Sequence, residues 1–198
     1  MASTTAKRPF WRRLRSCEAG TAAIEFGMAA TVLFLTLSAI IELSMVMFMQ
    51  SLVEGGLREA SRYGITGDVP QGMTREDRIA EIVQDNLMGL IPMNKVTITY
   101  KTYPSFGDVG QHEPFIDAPP LNGKYDAGET YTDINGNGQW DADMGSSGLG
   151  DAGAVVLYTI SADWALITPM VAPLFGHDGK VTIKASLAVR NEPYPEMP

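Results

Sequence analysis

From Thr21 to Ile41 the chain is apolar all round, through Ala22, Ala23, Ile24, Phe26, Met28, Val32, Leu33, Phe34, Leu35, Leu37, Ile40 and Ile41, with Glu25 as its one charge. As a helix rising about 1.5 Å per residue, this run is roughly 31 Å long, the thickness of a bilayer's hydrocarbon core. The core helix of a soluble domain would carry one apolar stripe against a polar back. A cleaved secretory signal has an apolar stretch of only about 7–15 residues, closed by a small-residue cut site. Here the apolar character continues beyond Glu42 through Met45-Val46-Met47-Phe48-Met49. Arg12-Arg13 hints at twin-arginine export, but its neighbours do not support it. The expected layout is a leader over 1–20, a membrane helix over 21–49 and an extracytoplasmic domain over 50–198.

Charge gives this layout a direction. Residues 1–20 hold Lys7, Arg8, Arg12, Arg13 and Arg15 against Glu18, a net +4; with the whole chain at −8, residues 21–198 carry −12. Basic residues flanking a span stay in the cytoplasm, so the leader is inside and the acidic body outside. An acidic body argues against a nucleic-acid partner, which needs a basic face. The single cysteine, Cys17, excludes a disulfide framework within one chain and a cysteine-based zinc site. His112 and His177 are too isolated to build a histidine metal centre.

The start of the apolar run is Gly20-Thr21-Ala22-Ala23-Ile24-Glu25-Phe26. A lone carboxylate entering a bilayer is costly, and is functional by default. If the chain is cut after Gly20, Thr21 exposes an ammonium group that a neighbouring subunit's Glu25 can neutralise at low dielectric. The plainer alternative has Glu25 in the headgroup layer. Ala23, Gly27, Ala30 and Thr31 share one helix face on which a second helix can approach closely. Glu42, near the outer interface, suits either simple solvation or a contact between subunits.

Gly20 followed by Glu25-Phe26 resembles the processing site of type IV pilin-like precursors. More narrowly, Glu18 to Phe26 and then Ile40-Ile41-Glu42 resemble the TadE/TadG-like minor pilins (pseudopilins) of tight-adherence pili. Leu57-Arg58-Glu59-Ala60-Ser61-Arg62-Tyr63-Gly64 fits that family's segment after the membrane helix. Ala185-Ser186-Leu187-Ala188-Val189-Arg190-Asn191-Glu192-Pro193-Tyr194 is similar to its terminus. The resemblance brackets residues 104–152, which have no counterpart in it. It implies cleavage between Gly20 and Thr21 by a prepilin peptidase, and assembly through Glu25 and Phe26. It also implies other pilins and a pilus assembly platform as partners.

Beyond the bilayer, Leu52, Val53, Leu57, Ala60 and Tyr63 recur at helical spacing, with Glu54 and Arg58 as an i, i+4 pair. The helix is expected to continue as a stalk to about Tyr63, with Gly55-Gly56 as a place to kink. A second helix is expected from a Thr74 cap, burying Ile79, Ile82, Val83, Leu87 and Leu90 and ending at Pro92. Val96-Ile98-Tyr100 and Val181 to Val189 alternate as half-buried strands. Val155 to Ala162 is apolar on both faces, as a central strand is. Thr168-Pro169 suits the start of a short helix before Gly176. The fold class is therefore α+β: a long N-terminal transmembrane and stalk helix, a shorter helix and a three-stranded, mostly antiparallel, pilin-like sheet carrying a polar insert.

That insert, 104–152, is too polar to form a core, and a loop of this length carries function or is disordered. At its centre, Asp133, Asn135 and Asn137 offer oxygens at loop positions 1, 3 and 5, followed by Gly138, the Gln139 carbonyl and Asp141. This is the donor order of a calcium loop, with Trp140 as apolar anchor. Position 12 is Met144, so Asp143 is the candidate substitute. Fifteen residues upstream, Asn122, Gly123, Asp126 and Glu129 repeat the pattern partially, without the opening acids. The pair resembles the EF-hand-like and dockerin-like loops of secreted proteins, without their flanking helices. A single Ca2+ site built from both halves is the expectation; a metal-free turn-rich loop is the alternative.

Nothing in the chain reads as a nucleophile–base pair, a phosphate loop or a catalytic metal site, so an enzyme is not expected. The expected function is a minor pilin that assembles into, or primes, a tight-adherence pilus for surface attachment. The alternative is a permanently anchored calcium-binding module that never enters a filament.

Overall fold

The computed structural model describes residues 20–168 and 179–193. The leader with Cys17, the segment from Pro169 in which a short helix was expected, His177 and Tyr194 lie outside the described residues.

The apolar run and the stalk are one helix, α1, Thr21–Gly64, 44 residues long. No proline lies between Pro9 and Pro70 to break it. Several of its hydroxyls are satisfied within the helix: Thr31 donates to the Gly27 carbonyl at 2.9 Å and Thr36 to the Val32 carbonyl at 2.8 Å. Ser44 does the same to the Ile40 carbonyl at 2.7 Å. Such back-bonding removes the cost of placing a hydroxyl in hydrocarbon. Burial divides α1 in two. From Thr21 to Ile41 no residue is buried, whereas Glu42, Met49, Val53, Gly56, Leu57, Ala60, Ser61 and Gly64 form one buried face.

Gly55-Gly56 does not interrupt α1. A methyl group on Gly56 would stand 3.2 Å from Asn86 Cβ, so the glycine permits close approach of α2, Arg75–Asn86. The capping expected at Thr74 is present. Its hydroxyl accepts the Asp77 N–H at 3.0 Å, and the Asp77 carboxylate accepts the Thr74 N–H at 3.2 Å. Ile79, Ile82, Val83 and Leu87 are buried as expected, but Leu90 is 43% exposed and Ile91 takes the inside position. The helix ends at Asn86, well before Pro92, because Met88 and Gly89 turn into the left-handed region at φ 53° and 72°.

The sheet has four antiparallel strands, not three, in the order β2-β1-β3-β4: β1 Val96–Tyr103, β2 Ser146–Ser147, β3 Val155–Ala165 and β4 Lys180–Arg190. The extra strand is two residues of the insert opposite Lys101 and Thr102, too short to show alternation in the sequence. The central position read for β3 holds. It pairs β1 from Val96↔Ala162 to Tyr103↔Val155, and β4 from Val155↔Arg190 to Ala165↔Lys180.

One face of the sheet packs on α1 and α2 through Val156, Tyr158, Ile160, Ala162, Ile183 and Ala185, against Met49, Val53, Leu57 and Ala60. Burying each valine, leucine, isoleucine or methionine among them stabilises the fold by about 1.5–3 kcal/mol. Tyr158 is 1% exposed and lies over Gly64, whose added Cβ would fall 2.1 Å from the tyrosine oxygen. Only glycine fits there.

The outer half of α1 is tied to the sheet at both ends. Near the membrane run, the Glu42 carboxylate accepts the Ile167 N–H at 3.0 Å and the Thr168 N–H at 2.8 Å, just past the end of β3. At the far end, the Ile65 carbonyl accepts the Glu192 N–H at 2.9 Å, just past β4. Helix rise over 42–65 is about 34 Å, and strand rise over 155–165 is about 33 Å. The two ties therefore bracket elements of equal length. The insert leaves the sheet at Tyr103 and returns at Val155, at the end far from the membrane run.

Candidate functional site

Two regions carry the functional candidates, at opposite ends of the molecule. The first is the free half of α1. The helix begins at Thr21, directly after Gly20. Glu25 is exposed and Phe26 is 74% exposed. Ile24, Met28, Val32, Leu33 and Phe34 are also more than half exposed, as side chains that contact lipid or other helices are. Gly27 has nothing within 4 Å of where a Cβ would stand, so the small-residue face is open. This is the one candidate membrane span among the described residues. Glu42, in contrast, is neither solvated nor offered to a neighbour. It is 1% exposed and serves the chain's own β3–β4 connection, a tertiary contact over 125 positions that sequence spacing could not reveal.

The second region is the insert, whose charged side chains are nine carboxylates against Lys124 alone. It has no buried apolar centre of its own, but it holds a part-exposed aromatic cluster that its polarity did not suggest. His112, Phe115, Tyr125, Tyr131 and Trp140 pack together, with Tyr125 and Trp140 stacked at 4.5 Å and 12°. Beneath them lies Glu113, fully buried, its carboxylate accepting the N–H groups of Ile134 at 2.8 Å, Asn135 at 3.3 Å and Asp141 at 3.1 Å. The Glu113 carbonyl accepts Trp140 Nε1–H at 3.0 Å. A buried carboxylate held by backbone donors can replace the apolar centre that the segment lacks.

The partial repeat is real in three dimensions. Asp133 accepts the Asn137 N–H at 3.2 Å and the Gly138 N–H at 2.8 Å; Asp117 accepts the Asn122 N–H at 3.3 Å and the Gly123 N–H at 2.8 Å. In each half the asparagine side chain also accepts the N–H two residues on, and its amide donates to Asp126 or Asp141. Tyr125 and Trp140, fifteen positions apart, are the stacked pair, and Phe115 bridges to Tyr131 two residues before each aspartate. Asp117 is the opening acid that sequence reading missed. It stands one residue further from its glycine than Asp133 does, so a strict fifteen-residue offset passes over it.

Of the metal-ligand candidates, Asp133, Asn135, Asn137 and Asp141 are brought together, with Asn135 Nδ2 2.7 Å from the Asp141 carboxylate. Asn122 and Asp126 form the other half. Glu129 spends its two oxygens on the Ala118 N–H and the Asp126 N–H, both within its own half, rather than completing the Asp133 loop. Gln139 is exposed, its N–H bonded to Asn137. Asp143 points elsewhere, to Lys101 Nζ at 2.6 Å and Tyr103 Oη at 2.8 Å. Burial pushes its carboxyl up, but hydrogen bonds from Lys101, Tyr103 and the Gly145 N–H hold it below the ordinary aspartate value. Burial, with Asp143 as hydrogen-bond acceptor, pushes Tyr103 up to about 12. Among the described residues, no group of three or more histidine, cysteine or carboxylate side chains is placed to hold a metal. The donor set around Asp141 is nonetheless all oxygen once the two amides are turned, which is the chemistry of a hard cation.

One free apolar half-helix, continuous with a small α+β head that has an acidic far end, gives an α+β protein with one candidate membrane span among the described residues, compatible with single-pass anchoring. Residues 20–62, which run from the residue before this helix to two short of its end, match the sequence model of the TadE-like protein family. The resemblance read from Gly20, Glu25 and Phe26 is thus borne out over the helix. The match includes neither the insert nor the Arg190-Asn191-Glu192-Pro193 terminus. No curated protein and no solved structure matches the chain.

Proposed function

We propose that this chain is a minor pilin or pseudopilin of a tight-adherence pilus, with a structural rather than catalytic role. The observation that carries the reading is the TadE-like match over 20–62, which coincides with a helix whose first half is wholly unburied and begins beside Gly20. Cleavage between Gly20 and Thr21 by a prepilin peptidase leaves an ammonium group one helical turn from Glu25. Packing of Glu25, Phe26 and the Ala23/Gly27 face against other pilin helices then assembles or primes the filament at the inner membrane's assembly platform. The insert is displayed at the end far from the bilayer, where surface attachment takes place.

Intact mass of the membrane-extracted protein, made with the cognate peptidase present, tests the reading. A chain beginning at Thr21 is expected. Retention of residues 1–20 favours instead the permanently anchored module.

Calcium belongs to the same proposal. Asp133, Asn135, Asn137 and Asp141 would hold it, with the Gln139 carbonyl as a further oxygen; bound there, it would neutralise the two carboxylates. Asp143, bonded to Lys101 and Tyr103, is left out of this reading. Protease sensitivity within 104–152 that is the same with calcium and with a chelator sinks the metal claim.

A further inference from the structure

We infer that Asn122, Asn135 and Asn137 are latent deamidation sites, held unreactive because Asp117 and Asp133 clamp the glycine N–H groups that would otherwise attack them. Of the chain's six asparagines, these three precede glycine, and all three lie in the insert. In a free chain an Asn-Gly pair modifies itself. The glycine nitrogen gives up its proton and attacks the asparagine Cγ, the new C–N bond closes a five-membered imide, and Nδ2 leaves as ammonia. Water then opens the imide to aspartate or isoaspartate, so water is the only co-reactant. Glycine speeds the attack because it has no side chain to hinder it. Here it cannot be exchanged for a bulkier residue, since Gly123, Gly136 and Gly138 stand at φ 70°, 73° and 79°, where a side chain is strained. The hazard is built into the turns.

The same turns counter it. The Gly123 N–H donates to Asp117 at 2.8 Å, and the Gly136 and Gly138 N–H groups donate to the two oxygens of Asp133 at 2.7 and 2.8 Å. The attacking species is the amide anion, and a carboxylate bonded to the intact N–H disfavours a second negative charge beside it. The amide under attack is tied as well. Oδ1 of Asn122, Asn135 and Asn137 accepts the N–H two residues on, at 2.8, 3.1 and 2.7 Å. Nδ2 of each donates to Asp126 or Asp141. Ring closure expels Nδ2 and moves Oδ1, so it gives up these bonds. Conversion also changes the fold around it: a new carboxylate faces Asp126 or Asp141 where a donor stood, and attraction becomes repulsion.

The test incubates full-length protein in detergent, with a chelator present, at mildly alkaline pH, where the amide anion forms most readily. Peptide mapping then follows asparagine, aspartate and isoaspartate at each site. All three sites are expected to convert more slowly in the folded parent than in the same chain unfolded by guanidinium. Asp117→Ala is expected to speed conversion at Asn122 alone, and Asp133→Ala at Asn135 and Asn137 alone. Each gain should be about tenfold, the effect of a change of about one unit in the acidity of the N–H. Parent rates equal to those of the unfolded chain overturn the inference, as do rates unchanged in both variants. Equal acceleration at all three sites in either variant assigns the protection to the general order of the insert and overturns the clamps; Glu113→Ala, which loosens the insert from beneath, supplies that pattern for comparison. Slower conversion on removing either aspartate makes the carboxylate a base rather than a guard, and overturns the inference too.

Discussion

Glu42 and Ile167 lie 125 positions apart and are joined by a hydrogen bond of 3.0 Å from the Ile167 N–H to a carboxylate that is 1% exposed. This contact and its neighbour at Thr168 turn the C-terminal half of a helix that starts as a candidate membrane span into a component of the head's core. Replacing Glu42 by alanine leaves two backbone N–H groups without their acceptor. The expected loss is about 1–3 kcal/mol, from the cost of an unsatisfied buried donor. Glu42→Gln, which keeps one accepting oxygen, is expected to lose less. Denaturant unfolding of the detergent-solubilised protein measures both.

Gly64 and Tyr158 give a test of packing. Gly64→Ala puts a methyl group into the space of the tyrosine oxygen, and overpacking of this kind costs about 1–3 kcal/mol. Tyr158→Phe removes the nearest atom and moves the closest approach from 2.1 to 2.8 Å. The double variant is expected to lose less than the sum of the single changes, read as a coupling energy in a thermal or denaturant cycle.

Glu113 holds the insert together from inside. In Glu113→Ala, the N–H groups of Ile134, Asn135 and Asp141 lose their acceptor, while the sheet is untouched. Cleavage by a nonspecific protease between 104 and 152 is expected to rise at least several-fold, with the unfolding midpoint of the sheet and helices little changed. Equal protection of variant and parent would refute the role given to Glu113.

Asp143 predicts a pH dependence. Its folded-state pKa is depressed, so it contributes stability that is present above the unfolded aspartate value and lost as pH falls through the folded one. Thermal melts are expected to show Asp143→Asn below the parent at neutral pH. The two should converge in acid once both carry an uncharged side chain. With side-chain exposures of 42% and 35% for Lys101 and Asp143, the ion pair itself contributes little, and the gap should be small.

The parts of this fold that were legible in sequence are those set by local periodicity. The apolar run, the Thr74 cap and the alternation of Val181 to Val189 each report a neighbour relation within a few residues. What was hidden depends on distant partners. Glu42 reads as a solvated acid or a contact between subunits until β3 and β4 are in place. Gly55-Gly56 reads as a weak point until Asn86 is seen against it. In the insert, the repeat of Asn122-Gly123 and Asn137-Gly138 was visible, but the role of Asp117 was masked by a one-residue difference in spacing. The strength of Glu113 was masked because charge normally marks a surface. Helix α2 stopped early for a related reason: Met88 and Gly89 set its end before Pro92 could.

The equal lengths of the tied elements have a consequence for how such a chain can change. An extra residue in α1 between Glu42 and Ile65 would turn one tie about 100° around the helix axis relative to the other and raise it by about 1.5 Å. The Ile167 and Glu192 N–H groups could then not both meet their acceptors. The spacing between the free apolar half of α1 and the head is thus a fixed gauge, whereas added length is tolerated where no such pair of ties brackets the chain, as in the acidic insert.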